Sequence, residues 1–206
     1  MALIEPARQE PDHQKEIKKH SAGIRIWHWL NALIITGSLV TVLINSTLFE
    51  DHSAEARSIM ETLEDKVWSV HIYFGYALAA LFLFRIVQEI RQRHNQKFLY
   101  KLTHVYKDYF VERRNMEVAK HELIVKMLYI IFYMLLAIMV ITGLTLAFED
   151  QLGIPRKLAH TIKDFHGFCM YLIIAFAGLH IIGVIMAEKK DSSGIVSDMI
   201  NGGKDS

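Results

Sequence analysis

The sequence is poor in the residues that cross-link a chain or interrupt a helix. Its one cysteine, Cys169, cannot form a disulfide within the chain and is too few for an iron–sulfur cluster, which takes about four thiolates. No Cys-x-x-Cys-His motif occurs, so any haem must be held by side chains other than cysteine. The three prolines lie outside the long apolar segments, which leaves those segments free to form continuous helices.

Apolar residues are abundant and segregated, at 52% of the chain against 22% charged residues. Four segments reach the roughly 20 residues that a helix needs to cross a bilayer. A soluble bundle would need amphipathic helices to cover them, and the chain offers one candidate, Lys97 to Arg113. We therefore predict an all-α integral membrane four-helix bundle, a single membrane domain over residues 1–206. The predicted spans are 27–48, 67–87, 123–148 and 165–187.

Lys97 to Arg113 is itself predicted to be an amphipathic helix in the membrane interface. Apolar residues recur there at steps of three and four among basic ones, which is typical of an interfacial helix. A helix packed on a partner subunit would show the same pattern, so both interpretations stay open.

Lysine and arginine are distributed unevenly about the spans. Of the 23, 18 precede the first span, lie between or at the edges of the second and third, or follow the fourth. Because positive loops remain in the cytoplasm, we expect a multi-pass protein of the bacterial inner membrane with both termini cytoplasmic. Residues 1–24 then form a cytoplasmic N-terminal segment and 188–206 a cytoplasmic tail. Residues 1–21 have no apolar run, so we expect no cleaved signal peptide.

Four of the eleven histidines fall inside or at the mouth of the spans. Ionisable residues within a membrane are costly and therefore indicate a function by default. His166 and His180 are 14 residues apart on the fourth span, nearly four helical turns, so they share one face about 21 Å apart along the axis. Depth pairs His28 with His180 on the cytoplasmic side, the inner pair, and His71 with His166 on the opposite side, the outer pair.

Two histidines that face each other across an apolar helix gap suit six-coordinate haem b. Such a haem has no open coordination position, so it passes electrons and does not bind oxygen or substrate. We predict two haem b groups, one per pair, with these four histidines as iron ligands. Hydrogen-bonded polar histidines, a zinc site and a proton relay are the alternatives, although a zinc site would need its ligands at one depth.

Basic side chains occur where haem propionates would lie. Arg25 is one turn before His28, Arg85 is 14 residues after His71, and Lys163 is one turn before His166. These three are candidate propionate contacts, although basic residues also flank membrane helices for other reasons.

Short segments around the span histidines and in the tail form a recognisable set. They are Arg25-Ile-Trp-His-Trp-Leu-Asn31, Val70-His-Ile-Tyr-Phe-Gly75, Ile141-Thr-Gly-Leu144, Phe165-His-Gly167, Gly178-Leu-His180 and the tail from Gly194 to Gly202. These segments resemble the b-type cytochrome subunit of membrane-bound nickel–iron hydrogenases. The resemblance extends from about Gly23 to the tail and includes the wider superfamily of cytochrome b561 and formate dehydrogenase gamma subunits.

The resemblance implies an electron-transfer subunit of an oxidoreductase complex, with no catalytic residue of its own. It would take electrons from an outer-side partner, the hydrogenase small and large subunits or another periplasmic redox subunit, and would pass them to a quinone near the cytoplasmic face. Membrane lipid is the other expected partner, and nucleic acid is not expected. Candidate quinone-site residues near the inner haem are Asn31, His104, Asp108, His121 and Glu122.

Two other functions fit the same histidine pattern. One is a stand-alone enzyme of the cytochrome b561 type that reacts with superoxide or quinol and needs no docking partner. The other is an anchor for another dehydrogenase or for a multihaem cytochrome.

Overall fold

The computed structural model describes residues 21–48, 57–91, 98–107, 110, 116–190 and 194–202. These residues form helices joined by turns, and no strand occurs among them. The helices are α1 Ala22–Leu48, α2 Arg57–Arg91, α3 Phe98–Lys107, α4 Met116–Ala147, α5 Arg156–Lys190 and α6 Ile195–Asn201.

Four of these helices are long and apolar enough to cross a membrane, over Ala22–Thr47, Glu61–Arg91, Leu123–Ala147 and Arg156–Lys189. Within them most large apolar side chains are exposed, such as Leu33 at 66% and Leu179 at 67%, whereas Leu136 on α4 is buried. A water-soluble protein would bury such residues, so their exposure fits a bundle that has hydrocarbon as its solvent. The predicted all-α membrane four-helix fold is thus confirmed.

The helices extend beyond the predicted spans. The first, second and fourth predicted segments lie within α1, α2 and α5, and the third passes the end of α4 by one residue. α2 begins at Arg57, ten residues before the second predicted span, and α5 begins at Arg156, nine residues before the fourth predicted span. Hydropathy marks only the part of a helix that suits hydrocarbon, so polar helical turns beyond it carry no such signal.

The turn between α4 and α5 depends on two residue types. Gly153 has a φ of +63°, a left-handed conformation that glycine adopts without strain. Pro155 stands directly before α5, and its carbonyl accepts hydrogen bonds from the backbone N–H of Leu158 and Ala159. A proline suits this position because the first turn of a helix has no partner for its N–H groups.

The packing of the long helices leaves α5 apart from two of its neighbours. α1 packs on α2, α2 on α4 and α4 on α5, whereas α5 makes at most marginal backbone contact with α1 or α2. The α1–α2 contact is close at Gly37, where an added Cβ atom would lie 2.7 Å from Cζ of Phe74. A small residue in this position allows two membrane helices to approach each other.

Two short helices lie beside the bundle. α3 falls within the predicted interfacial helix and packs on α4, with Val105 buried and Tyr106 exposed. α6 contacts α5, and the Glu188 carboxylate accepts hydrogen bonds from the backbone N–H of Gly194 at 2.7 Å and Val196 at 3.1 Å. The indole N–H of Trp29 also donates to the Met199 carbonyl, at 2.9 Å. The tail therefore contains an element that is attached to both α1 and α5.

Replacing Gly37 should separate α1 from α2. Gly37→Val puts a branched side chain into the Phe74 ring, and overpacking of this kind costs about 1–3 kcal/mol. Gly23→Val is the matched control, because an added Cβ at Gly23 meets nothing within 4 Å. Thermal unfolding of the purified protein in detergent should show a lower midpoint for Gly37→Val alone, and equal midpoints would contradict the close contact.

Candidate cofactor site

The inner pair is brought together by α1 and α5. The ring centroids of His28 and His180 are 6.2 Å apart, with their planes inclined at 51°. Two imidazoles that bind one metal ion from opposite sides, each nitrogen about 2 Å from it, have their ring centroids roughly 6 Å apart. The observed separation therefore fits a shared metal, and it lies between two helices that do not pack closely.

The outer histidines lie on α2 and α5. Each of them is held on its Nδ1 side by a different neighbouring helix. Nδ1 of His71 is 3.0 Å from the Thr41 hydroxyl and 3.2 Å from the Ser38 hydroxyl of α1. Nδ1 of His166 is 2.7 Å from the Thr142 hydroxyl of α4.

The neighbours of each outer histidine favour one assignment of its ring proton. Each threonine hydroxyl also lies within hydrogen-bond distance of a backbone carbonyl, Thr41 of Ser38 at 2.6 Å and Thr142 of Ile138 at 2.7 Å. A hydroxyl that donates to a carbonyl can only accept from histidine, which assigns the donor role to Nδ1. The Ser38 carbonyl, 3.3 Å from Nδ1 of His71, is likewise an acceptor.

A neutral imidazole that donates through Nδ1 has a lone pair on Nε2. This is the form in which histidine binds a metal, with the second nitrogen hydrogen-bonded to an outer partner. His71 and His166 therefore have the donor chemistry that an axial haem ligand needs.

The surroundings of the inner pair are aromatic. The ring of Phe176 stacks on His180 at 6.3 Å with an interplanar angle of 4°, and Phe132 of α4 stacks on Phe176 at 5.2 Å. Flat apolar side chains of this kind suit the macrocycle of a haem. Over the described ranges, no group of three or more His, Cys, Asp or Glu side chains is arranged so that it could hold a metal ion.

The three candidate propionate contacts lie in different surroundings. Nε of Arg85 donates to the Tyr133 hydroxyl at 3.2 Å, and its guanidinium lies 5.6 Å from the centre of the Trp27 ring. The Arg25 guanidinium lies directly against Gly202 after α6. Lys163 is exposed on α5, one turn before His166.

The described structure does not bring the candidate quinone-site residues into one site. Asn31 is buried, at 3% exposure, on the face of α1 that packs in the bundle, while His104 is exposed on α3. Asp108 lies outside the described residues. His121 and Glu122 are part of α4, but their side chains are also outside the described set.

Sequence reasoning overlooked the polar side chains of α1 and α4 that face the outer pair. Ser38, Thr41 and Thr142 are small and common in membrane helices, and only their distance from the histidines reveals them. Asn45 is a further case, buried at 7% exposure with neither amide atom hydrogen-bonded to a described residue. An asparagine inside an apolar span is a signal that the sequence does carry, since a buried amide without a partner is costly.

The fold and the paired histidines define a class of protein, the all-helical membrane cytochromes that hold haem between helices. Residues 19–202 match the family model of the prokaryotic cytochrome b561, and the chain belongs to that family. It is accordingly a multi-pass membrane cytochrome of the b type, with haem b as its cofactor. The family match covers all four histidines.

One curated relative is the probable Ni/Fe-hydrogenase B-type cytochrome subunit of Bradyrhizobium diazoefficiens. It is 26% identical over 209 residues, covering 89% of this chain and 83% of the relative. No solved structure matches the chain significantly.

The Arg85–Tyr133 contact should contribute measurably to the packing of α2 on α4. A double-mutant cycle with Arg85→Met and Tyr133→Phe should give a coupling free energy of about 1 kcal/mol, in the range found for hydrogen bonds between membrane helices. Tyr171→Phe serves as the control, because Tyr171 is 66% exposed. Thermal unfolding in detergent provides the measurement, and a coupling of zero would show that the hydrogen bond does not hold these helices together.

Proposed function

We propose that this chain binds two haem b groups and carries electrons across the membrane between them. His28 and His180 hold the inner haem, and His71 and His166 hold the outer haem. The observation that carries the proposal is the inner pair, in which the rings of His28 on α1 and His180 on α5 lie 6.2 Å apart between helices that make at most marginal backbone contact. His166 lies on the same helix as His180, and we pair it with His71 of α2. One helix thus supplies a ligand to two cofactor sites at two depths.

The haem iron supplies one-electron chemistry, and the protein determines how it is used. With both histidines of a pair bound to it, the iron would have no open position, and the site would exclude oxygen and substrate from the metal. The aromatic rings of Phe132 and Phe176 pack beside the inner site, and the hydroxyls of Thr41 and Thr142 orient the outer histidines. The protein side chains thereby restrict the reaction to electron transfer.

Basic and amide side chains near the inner and outer histidine pairs would bind the propionate carboxylates of the two haems. Arg25 and Arg85 serve the inner haem, and Lys163 serves the outer one, because arginine and lysine bind carboxylates by charge-assisted hydrogen bonds. The buried amide of Asn45, one turn beyond Thr41, is a further donor at the outer level. A carboxylate there would give this amide the partner that it lacks among the described residues.

The direction across the membrane is set by the distribution of charge. The end of α1 that carries His28 and the end of α5 that carries His180 adjoin segments rich in lysine and arginine. This end of the bundle therefore faces the cytoplasm. Both termini then lie in the cytoplasm, and the membrane is the bacterial inner membrane. The acidic segment 49–66 follows the opposite end of α1 in the sequence, and its last ten residues belong to α2. We place the docking site of a redox partner there.

The relative from Bradyrhizobium suggests the partner. We place the chain in a nickel–iron hydrogenase complex, in which the small and large subunits would oxidise hydrogen and deliver electrons at the level of His71 and His166. From the level of His28 and His180, the electrons would pass to a quinone at the cytoplasmic side. Asn31, His104, Asp108, His121 and Glu122 are the residues to test for quinone binding.

Substitution of paired histidines should identify the two haem sites. His28→Ala and His180→Ala should each remove one haem, and the double variant should still lose only one, because both ligands serve the same iron. The combination of His28→Ala with His71→Ala should remove both. Haem content per purified chain, measured as the pyridine haemochrome, checks this prediction.

His160→Ala is the matched control for these variants, because this histidine is on α5 and its side chain is 77% exposed. It should retain both haems. Loss of two haems in the His28→Ala/His180→Ala double variant, or retention of both in His71→Ala, would contradict the pairing.

Hydrogen should reduce the haems in native anaerobic membranes before any chemical reductant is added. In His180→Ala, the outer haem should still be reduced by hydrogen while quinone reduction stops, because the path to the quinone is broken at the inner level. Difference spectra after hydrogen and then after dithionite provide the measurement. Bands that form only with dithionite would reject the hydrogenase as donor while leaving the two-haem proposal intact.

A further inference from the structure

The outer histidines are anchored by hydroxyl groups in a way that bears on the redox behaviour of their haem. This role of the hydroxyls rests on the proposed function, since it assumes a haem between His71 and His166. The contacts that support it are separate from those that define the haem sites, because they concern the nitrogen atoms that face away from the iron.

Thr142 is the hydrogen-bond partner that the structure describes for His166. Its hydroxyl proton is engaged by the Ile138 carbonyl at 2.7 Å, and a second carbonyl, that of Met139, lies at 3.3 Å. The Thr142 oxygen is therefore fixed in position and directs a lone pair to Nδ1 of His166 at 2.7 Å. A Cβ atom at the neighbouring Gly143 would lie 3.3 Å from Cε1 of His166, so the ring is also closely confined.

His71 has three acceptors around the same nitrogen. The hydroxyl of Thr41 lies at 3.0 Å, the hydroxyl of Ser38 at 3.2 Å and the carbonyl of Ser38 at 3.3 Å. Thr41 is buried, at 6% exposure, so water does not readily replace its oxygen. Removal of one acceptor should therefore affect His71 less than removal of Thr142 affects His166.

The inner ligand on α5 has no such anchor. Within the described part of the chain, His180 makes ring contacts with His28 and Phe176 and has no hydrogen bond. The two histidines of α5 thus differ in kind, one held by a hydroxyl and the other by aromatic packing.

A hydrogen bond accepted from Nδ1–H draws the proton away from the ring and raises the electron density at Nε2. A more basic ligand favours the oxidised, more positively charged iron over the reduced iron. We propose that Thr142 and Thr41 are positioning residues that fix His166 and His71 as Nδ1–H tautomers and shift the redox equilibrium of the outer haem towards its oxidised form. An electron that reaches the outer haem is thereby released more readily to the inner one.

A redox titration of the purified chain tests the proposal. Thr142→Val keeps the shape of the side chain and removes the acceptor, so it should move the outer haem towards the reduced form by about threefold to tenfold in the equilibrium constant, tenfold being about 59 mV for one electron. Thr41→Val should move it less, because Ser38 remains. Thr142→Ser should restore the wild-type value, since it keeps the hydroxyl.

Thr145→Val is the matched control, because Thr145 lies one turn further along α4 and bonds only the Ile141 carbonyl among described residues. It should leave both potentials unchanged. The outer haem is identified as the one missing from His71→Ala. An unchanged outer potential in Thr142→Val, or an equal change in Thr145→Val, would overturn the proposal.

If Thr142→Val loses the outer haem, haem retention becomes the deciding measurement. Retention in Thr142→Ser with the wild-type potential would support the role of the hydroxyl, whereas loss in both variants would overturn it. The haem content of the wild-type chain is measured before any variant is titrated. A single haem in the wild-type chain would refute the proposed function itself, separately from the role of the hydroxyls.

Discussion

The cost of placing an imidazole in hydrocarbon is the constraint on which this structure depends. A polar ring inside a bilayer must find partners within the protein. Of the four span histidines, His28 lies beside His180, and His71 and His166 reach hydroxyls on the adjoining helices. The helices leave room for these rings, and α5 makes at most marginal backbone contact with α1 or α2.

The close helix contacts of the bundle also position the partners of the histidines. α1 approaches α2 closely at Gly37, and α4 confines His166 at Gly143. These contacts hold the backbones that carry Thr41 and Thr142 at fixed distances from the histidines. The tightly packed helix pairs α1–α2 and α4–α5 thus support histidines that lie beside more loosely packed helices.

The sequence predicted the four helices, because hydropathy and helical repeat are properties of single segments. The 14-residue spacing of His166 and His180 defines a shared face, and the structure places His28 beside His180. The hydroxyl anchors could not be predicted, since Ser38 lies 33 residues from His71 and only the packing of α1 on α2 joins them. Nor could the attachment of α6, which depends on one indole of α1 and one carboxylate at the end of α5.

The number of haems and their ligation state are the most direct test of the two-haem arrangement. The chain should be purified from the membranes of cells grown with a supply of haem. Its haem b content and its low-temperature electron paramagnetic resonance spectrum should be recorded on the same sample. We expect two haem b groups per chain, both low-spin with two axial histidines. A single haem, or a high-spin iron with an open position in the intact protein, would contradict this arrangement.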